Sequence, residues 1–276
     1  MIIKQLNQKP FFKNLVFLFK ILGTSVFFYI FLSIFDYEEL IKILKKIDLN
    51  FFFTALLLAM LSPILTGLRL NFFLKATSIS RPYLSCLHAA FCGLALNLVI
   101  PARGGDIVKM SFLRKDNLPS WTTLGATALL ERLCDVMVLA SLGTVASLYL
   151  GHTEALLISL SILFPLIVLF FLIPKLANIR PLKKKLKSIY SLSETIKRNM
   201  IFLVYGILTS FLCWTINSFI MGFLLLSVDY SISYIFALAA TPPSIIAGVI
   251  PISLWGIGTR DGALSYLLKD FSSTEN

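Results

Sequence analysis

The sequence predicts an all-α polytopic membrane protein, with about six full transmembrane helices and two re-entrant hairpins in an inverted repeat. Three observations carry this expectation. The chain of 276 residues is 57% hydrophobic and 14% charged, with a mean hydropathy of +0.85, whereas a soluble domain carries about 25% charged residues. Apolar runs recur from end to end, and about 20 such residues cross a bilayer. Two of these runs break at a proline and resume among glycines and paired charges.

The elements follow in order. Lys4, Lys9 and Lys13 open the chain, but the apolar run after them is too long for a cleavable signal and lacks a small-residue cleavage site. The first span covers 14–34, with Lys20 near its start. DYEELIKILKKID (36–48) is short, mixed in charge and amphipathic, which suits a membrane interface. The second span is 50–74. Its Arg69, like Lys20, reads as a snorkelling cation with its head at the interface. An apolar helix over 82–100 stops at Pro101, and a shorter helix over 104–113 ends in Arg114-Lys115. The next span, 122–150, starts beside Trp121, an interfacial anchor. After the turn GHTE comes a span over 155–174. The loop 175–198 is the most basic part of the chain, with eight Lys and Arg against the single acid Glu194. Spans over 199–228 and 231–250 follow, the latter kinked by Pro242-Pro243. Pro251 breaks the chain, and WGIGTRDGALSYLLKD (255–270) reads as another short amphipathic helix.

The net charge of +11 lies mainly between spans, so topology explains it; no nucleic-acid module is present. Cys86, Cys92, Cys134 and Cys213 all sit in apolar segments and form no CxxC pair, so they read as buried small hydrophobes without disulfides. His88 and His152 are isolated and give no metal spacing. Neither a metal, a cofactor nor a catalytic residue is expected.

Orientation follows from the basic residues. Loop 175–198 and the N-terminus belong in the cytoplasm. The first span then runs outward and the second inward, which puts Lys75 and Arg81 inside. Span 155–174 runs inward and 122–150 outward, which puts Arg114-Lys115 inside as well. Segment 82–113 therefore starts and ends on one side, as a hairpin with its tip at 101–105. The same pattern recurs about 150 residues on: Val99-Ile100-Pro101 returns as Val249-Ile250-Pro251, and Gly105-x-x-x-Lys109 as Gly256-x-x-x-Arg260. Residues 1–276 then form one membrane domain with repeats 1–150 and 151–276. The repeat leads us to expect a partner for span 122–150 near 272–300, a last helix either cut off by truncation or lost from the second half.

Broken backbone at membrane depth must be buried in protein or line a wet cavity. Broken helices meeting at a repeat interface build the sites of many transporters, and a half-helix N-terminus holds anions such as phosphate. Gly104, Gly105, Gly256 and Gly258 allow close approach. Arg103, Asp106 and Lys109 stand at the first break, Arg260 and Asp261 at the second, and Glu131, Arg132 and Asp135 on span 122–150. Arg132 and Asp135, three apart, share a face. Each charge costs roughly 2.5–3.5 kcal/mol at a helix centre, so all should face the bundle interior. Arg103, Lys109, Arg132 and Arg260 oppose Asp106, Glu131, Asp135 and Asp261, a balanced set that suits either structural pairing or substrate contact.

NLVIPARGGDIVKM (97–110), LLERLCDVMVL (129–139) and GVIPISLWGIGTRDGAL (248–264) resemble three signature stretches of the flippase-like family of lysylphosphatidylglycerol synthase transmembrane regions. Pro101, Arg103, Gly105, Asp106 and Lys109 match its first motif; Glu131, Arg132 and Asp135 the second; Pro251, Gly256, Gly258, Arg260, Asp261, Gly262 and Ala263 the third. Trp255 stands where glycine is usual. The resemblance implies a further C-terminal helix and movement of an anionic or polyprenyl-phosphate-linked lipid between leaflets of the inner membrane. No aminoacyl-transferring domain is expected with these spans, so lysyl-lipid synthesis is not assigned. An accessory protein working with partner proteins of an envelope lipid or glycan pathway, or a membrane enzyme on a lipid-linked substrate, are the alternatives.

Overall fold

The computed structural model describes residues 37–97, 105–114, 118–151, 153–177, 187–230, 233–249 and 259–274. Within them the chain is helical and forms no strand. Residues 101–104 of the expected hairpin tip, the expected second break from 251 to 258, and the expected first span at 14–34 lie outside these residues. The first described helix, α1 (Tyr37–Lys45), belongs to a separate compact unit, residues 1–47. Lys42 and Lys45 occupy its last turn, where cations suit the helix dipole.

The second unit, residues 48–276, is built on two matched helices, α2 (Leu49–Ala76) and α8 (Met200–Ser227), each 28 residues long. At about 1.5 Å per residue each is about 42 Å long, enough to cross a hydrocarbon core of about 30 Å. They run antiparallel and are joined at both ends. The Asp48 N–H donates to Ser227 O (2.9 Å), and Asn199 Nδ2 donates to Ser78 Oγ (2.8 Å). Between the ends Gly206 lets the Phe73 ring close in, since a Cβ there would stand 3.2 Å from ring carbons. Phe51 stacks on Phe223 with centroids 6.3 Å apart.

The two helices also end alike. Ser78 (φ 58°) and Asp229 (φ 62°) turn left-handed. Ile79 N donates to Leu74 O (2.8 Å), and Tyr230 N donates to Leu225 O (3.0 Å). These are Schellman closures, with serine and aspartate at the position glycine usually takes. Each helix is followed by a shorter pair. After α2 come α3 (Tyr83–Asn97) and α4 (Gly105–Phe112); after α8 come α9 (Tyr234–Val249) and α10 (Thr259–Thr274). Arg81, just before α3, donates from Nε to Leu113 O (2.8 Å), just past α4. The chain that leaves at Arg81 thus returns to it. Tyr230 likewise reaches from the start of α9 to Leu268 O on α10 (3.5 Å). At 15 residues, α3 extends about 22 Å, short of a full crossing.

Helix α5 (Trp121–Leu150) is the spine to which both pairs attach. Ser120 caps it, accepting from Thr123 N (3.2 Å), and Gly151 (φ 73°) ends it. The apolar cluster of Leu70, Leu74, Cys86, Ala89, Met110, Leu113 and Leu124 joins the first pair to the start of α5. Ala146, Ala155, Ala239, Ala240, Leu264 and Leu267 join the second pair to its end. Helix α6 (Thr153–Ala177) packs beside α5. Helix α7 (Lys187–Arg198) occupies part of the stretch expected to be a loop; its basic residues hid an amphipathic helix, which carries a Lys197–Glu194 ion pair of 2.8 Å. All four cysteines are free thiols, three of them buried. Trp121 opens α5 half-exposed, with the Arg114 guanidinium 5.0 Å above its ring.

Candidate functional site

Between the two apolar clusters, the middle of α5 carries charge. Glu131, Arg132 and Asp135 lie within five residues, so successive turns present them to neighbouring helices. Helix α4 contributes Asp106 and Lys109 from its first two turns, α2 contributes Arg69, and α8 contributes Ser210 and Trp214. Helix α4 reaches this place because Gly105 has no side chain. A Cβ there would stand 2.4 Å from Gly93 O and 2.6 Å from Asn97 N. The close approach that Gly105 permits is to α3 backbone.

The side chains form one continuous network. Arg69 donates from Nη1 to Asp135 Oδ1 (2.8 Å) and from Nη2 to Glu131 Oε1 (3.0 Å). Lys109 Nζ donates to Glu131 Oε2 (2.8 Å) and lies 3.8 Å from Asp106 Oδ1. Arg132 bonds the Asp106 carboxylate and reaches Asp135 Oδ2 at 3.4 Å. Ser210 Oγ and Trp214 Nε1 donate to Asp135 Oδ1 at 3.2 and 3.1 Å. Three cations face three carboxylates, so the set is neutral as a whole. That balance is what makes it tolerable in a low-dielectric interior, where an unpaired ion costs several kcal/mol.

Burial is uneven across the set. Arg69, Lys109, Glu131 and Asp135 expose 5% or less. The Arg132 side chain exposes 29% and that of Asp106 17%. The network is closed towards α2 and α8 and open at the α4–α5 edge.

Sequence reasoning placed five of these residues together: Asp106, Lys109, Glu131, Arg132 and Asp135. It misread Arg69, expected to snorkel at the interface. The guanidinium is buried because two carboxylates across α5 neutralise it. It missed Ser210 and Trp214, whose residue types signal nothing unusual in an apolar helix. Of the eight charges expected inside, Arg260 and Asp261 pair with each other. Arg260 Nε donates to Asp261 Oδ1 of its own turn (2.9 Å), with side chains 43% and 45% exposed. This pair has no bond to the network among the described residues. Asp261 is the partner of Arg260, and Arg69 is the third cation of the network. Arg103, Gly104, Gly256 and Gly258 lie outside the described residues. Among the described residues, no group of three or more His, Cys, Asp or Glu is gathered to hold a metal ion.

A helical membrane protein with a neutral ion network, lodged where a short helix pair meets a spanning helix, is the class that fold and site define. The chain belongs to the family described as the lysylphosphatidylglycerol synthase TM region, whose model matches residues 17–276. It is similar to the UPF0104 membrane protein PH1989 of Pyrococcus horikoshii, 26% identical over 83% of this chain and 80% of that protein. It is also similar to the UPF0104 membrane protein MJ1078 of Methanocaldococcus jannaschii, 28% identical over 63% of this chain and 79% of that protein. No solved structure matches.

Proposed function

We propose that the protein is a flippase-like carrier that moves an anionic lipid, or a polyprenyl-phosphate-linked glycan, between leaflets. Arg132 is the cation that meets the phosphate. One observation carries this reading: among the network cations Arg132 alone is both partly exposed and dispensable to its partners. If Arg132 turns away, Asp135 keeps Arg69, Ser210 and Trp214, and Asp106 keeps Lys109. If Arg69 or Lys109 leaves, Glu131, 1% exposed, loses a charged partner inside the protein. A guanidinium freed in this way is planar and bidentate, suited to phosphate oxygens. The matched helices α2 and α8, each followed by a short returning pair, support two opposed half-sites, with the lipid tails left in the bilayer. The reading gives the protein no chemical step of its own. It sets the protein in the inner membrane with its N-terminus, Arg114 and basic α7 cytoplasmic.

The test is leaflet exchange of tail-labelled phosphatidylglycerol in vesicles carrying the purified chain. The wild type accelerates exchange over empty vesicles. Arg132→Gln lowers the rate about 10–100-fold, the value of one charge-assisted contact, and Arg132→Lys fails to restore it. Exchange no faster than in empty vesicles, or unaffected by Arg132→Gln, sinks the reading for this lipid class. The neutrality of the network favours one other reading, an accessory protein whose charges only hold helices together. Stable co-purification with a pathway partner, unchanged by Arg132→Gln, marks that outcome.

A further inference from the structure

Helical serines and threonines in this protein have a habit. Thr54, Thr66, Thr127, Ser141, Thr144, Thr209 and Ser218 each donate to the carbonyl four residues back, at 2.6–3.1 Å. That bond satisfies a hydroxyl in an apolar helix at no further expense. Ser147, Ser159 and Thr241 break the habit. Their hydroxyl oxygens are buried and, among the described residues, without a hydrogen-bond partner, in residues 0%, 1% and 2% exposed. All three lie on the helices that meet at one junction, α5, α6 and α9.

Two observations bring that junction together. A Cβ built at Gly143 on α5 would stand 2.6 Å from Ser159 Oγ of α6, and 3.6 Å from both Pro242 Cβ and Pro243 Cδ of α9. The Ser159 hydroxyl and the proline pair therefore both face Gly143. Ser147 lies one turn further along the Gly143 face of α5, and Thr241 adjoins Pro242. The prolines add acceptors. Neither has an N–H, so the carbonyls of Leu238 and Ala239, four residues back, lose their usual helical donors. The junction thus offers up to five oxygens without their ordinary partners.

We infer that this junction binds a monovalent cation of the sodium class, stripped of most of its water and held by hydroxyl and carbonyl oxygens. Buried polar groups left unpaired in one place call for a guest. A buried water makes about three hydrogen bonds, fewer than the oxygens on offer. Hard cations take oxygen ligands, and divalent ones ordinarily recruit carboxylates. The nearest acid along α6, Glu154, accepts from Tyr266 Oη (3.0 Å) instead. Neutral oxygens suit a single charge, and here hydroxyls stand beside carbonyls that prolines leave without helical donors. Ser147 is three residues from the Leu150 end of α5, about 4.5 Å along the axis, so the path from water is short. The site is separate from the α4–α5 network and does not depend on the lipid reading.

The experiment uses the full chain in lipid nanodiscs and reads binding of radiolabelled sodium together with thermal unfolding in sodium, potassium or choline chloride. The expected result is saturable sodium binding and a midpoint raised by about 5 °C over choline at saturation. Both are lost in Ser159→Ala and Thr241→Val and kept in Ser141→Ala. The choline arm shows that each variant folds, and competition by potassium sets the selectivity. No saturable binding by the wild type, or binding that survives Ser159→Ala combined with Thr241→Val, overturns the inference. Variants that lose stability equally in sodium and choline identify a structural water and overturn it as well.

Discussion

Asp135 accepts from Arg69, Ser210 and Trp214 at one oxygen and from Arg132 at the other, and this crowding ranks the site's residues. Arg69→Leu strips Glu131 and Asp135 of their shared buried cation. We expect a loss of about 3–5 kcal/mol, the penalty for orphaning a buried charge, read as an early unfolding midpoint in a denaturant series. Arg132→Gln, by contrast, leaves every carboxylate with a cation within 4 Å and should cost under about 1.5 kcal/mol in the same series, while leaflet exchange falls. Asp106, Lys109, Glu131, Arg132 and Asp135 were legible because ionisable groups in an apolar helix demand partners. Arg69 was not, since one arginine near a helix end has snorkelling as its cheaper solution, and only the fold shows two carboxylates opposite it. Ser210 and Trp214 gave no signal at all: their polar atoms are small attachments to residues at home in a membrane helix.

At the scale of elements, charge accounting expects 82–113 to begin and end on one side, and the bond from Arg81 to Leu113 O joins the residues at its two ends. That inference needed only the signs of flanking loops. Helix α7 was hidden because its polar face dominates its composition, and the break residues themselves lie outside the described residues. Glycine positions divide sharply by what surrounds them. Gly105→Ala drives a Cβ into Gly93 O and the Asn97 backbone, so it should separate α4 from α3 and speed proteolysis between 97 and 121. Gly262→Ala, with nothing within 4 Å, should be silent or slightly stabilising by the same measurement. Asp229→Gly relieves a left-handed residue (φ 62°) and should raise stability by up to about 1 kcal/mol, seen as a later thermal midpoint. Ser78→Gly should gain less, because Ser78 Oγ also receives Asn199 Nδ2.

For the molecule as a whole, α2 and α8 are the longest-matched and most extensively packed pair. Their likeness was readable as a recurrence at about 150 residues, but their direct contact was not, because hydropathy says which segments are helices and nothing about which ones touch. Gly206→Val tests that contact. The added carbons collide with the Phe73 ring, and overpacking of this kind costs about 1–3 kcal/mol. The whole second unit should lose stability, measured as a single shifted transition.

The bonds that fasten Asp48 to Ser227 and Asn199 to Ser78 have a mechanical meaning. A pair of rods fastened at both tips and packed between them resists sliding and splaying, so α2 and α8 behave as a keel. If the proposed carrier reading holds, its moving parts are the short pairs, rocking against α5 while the keel stays still.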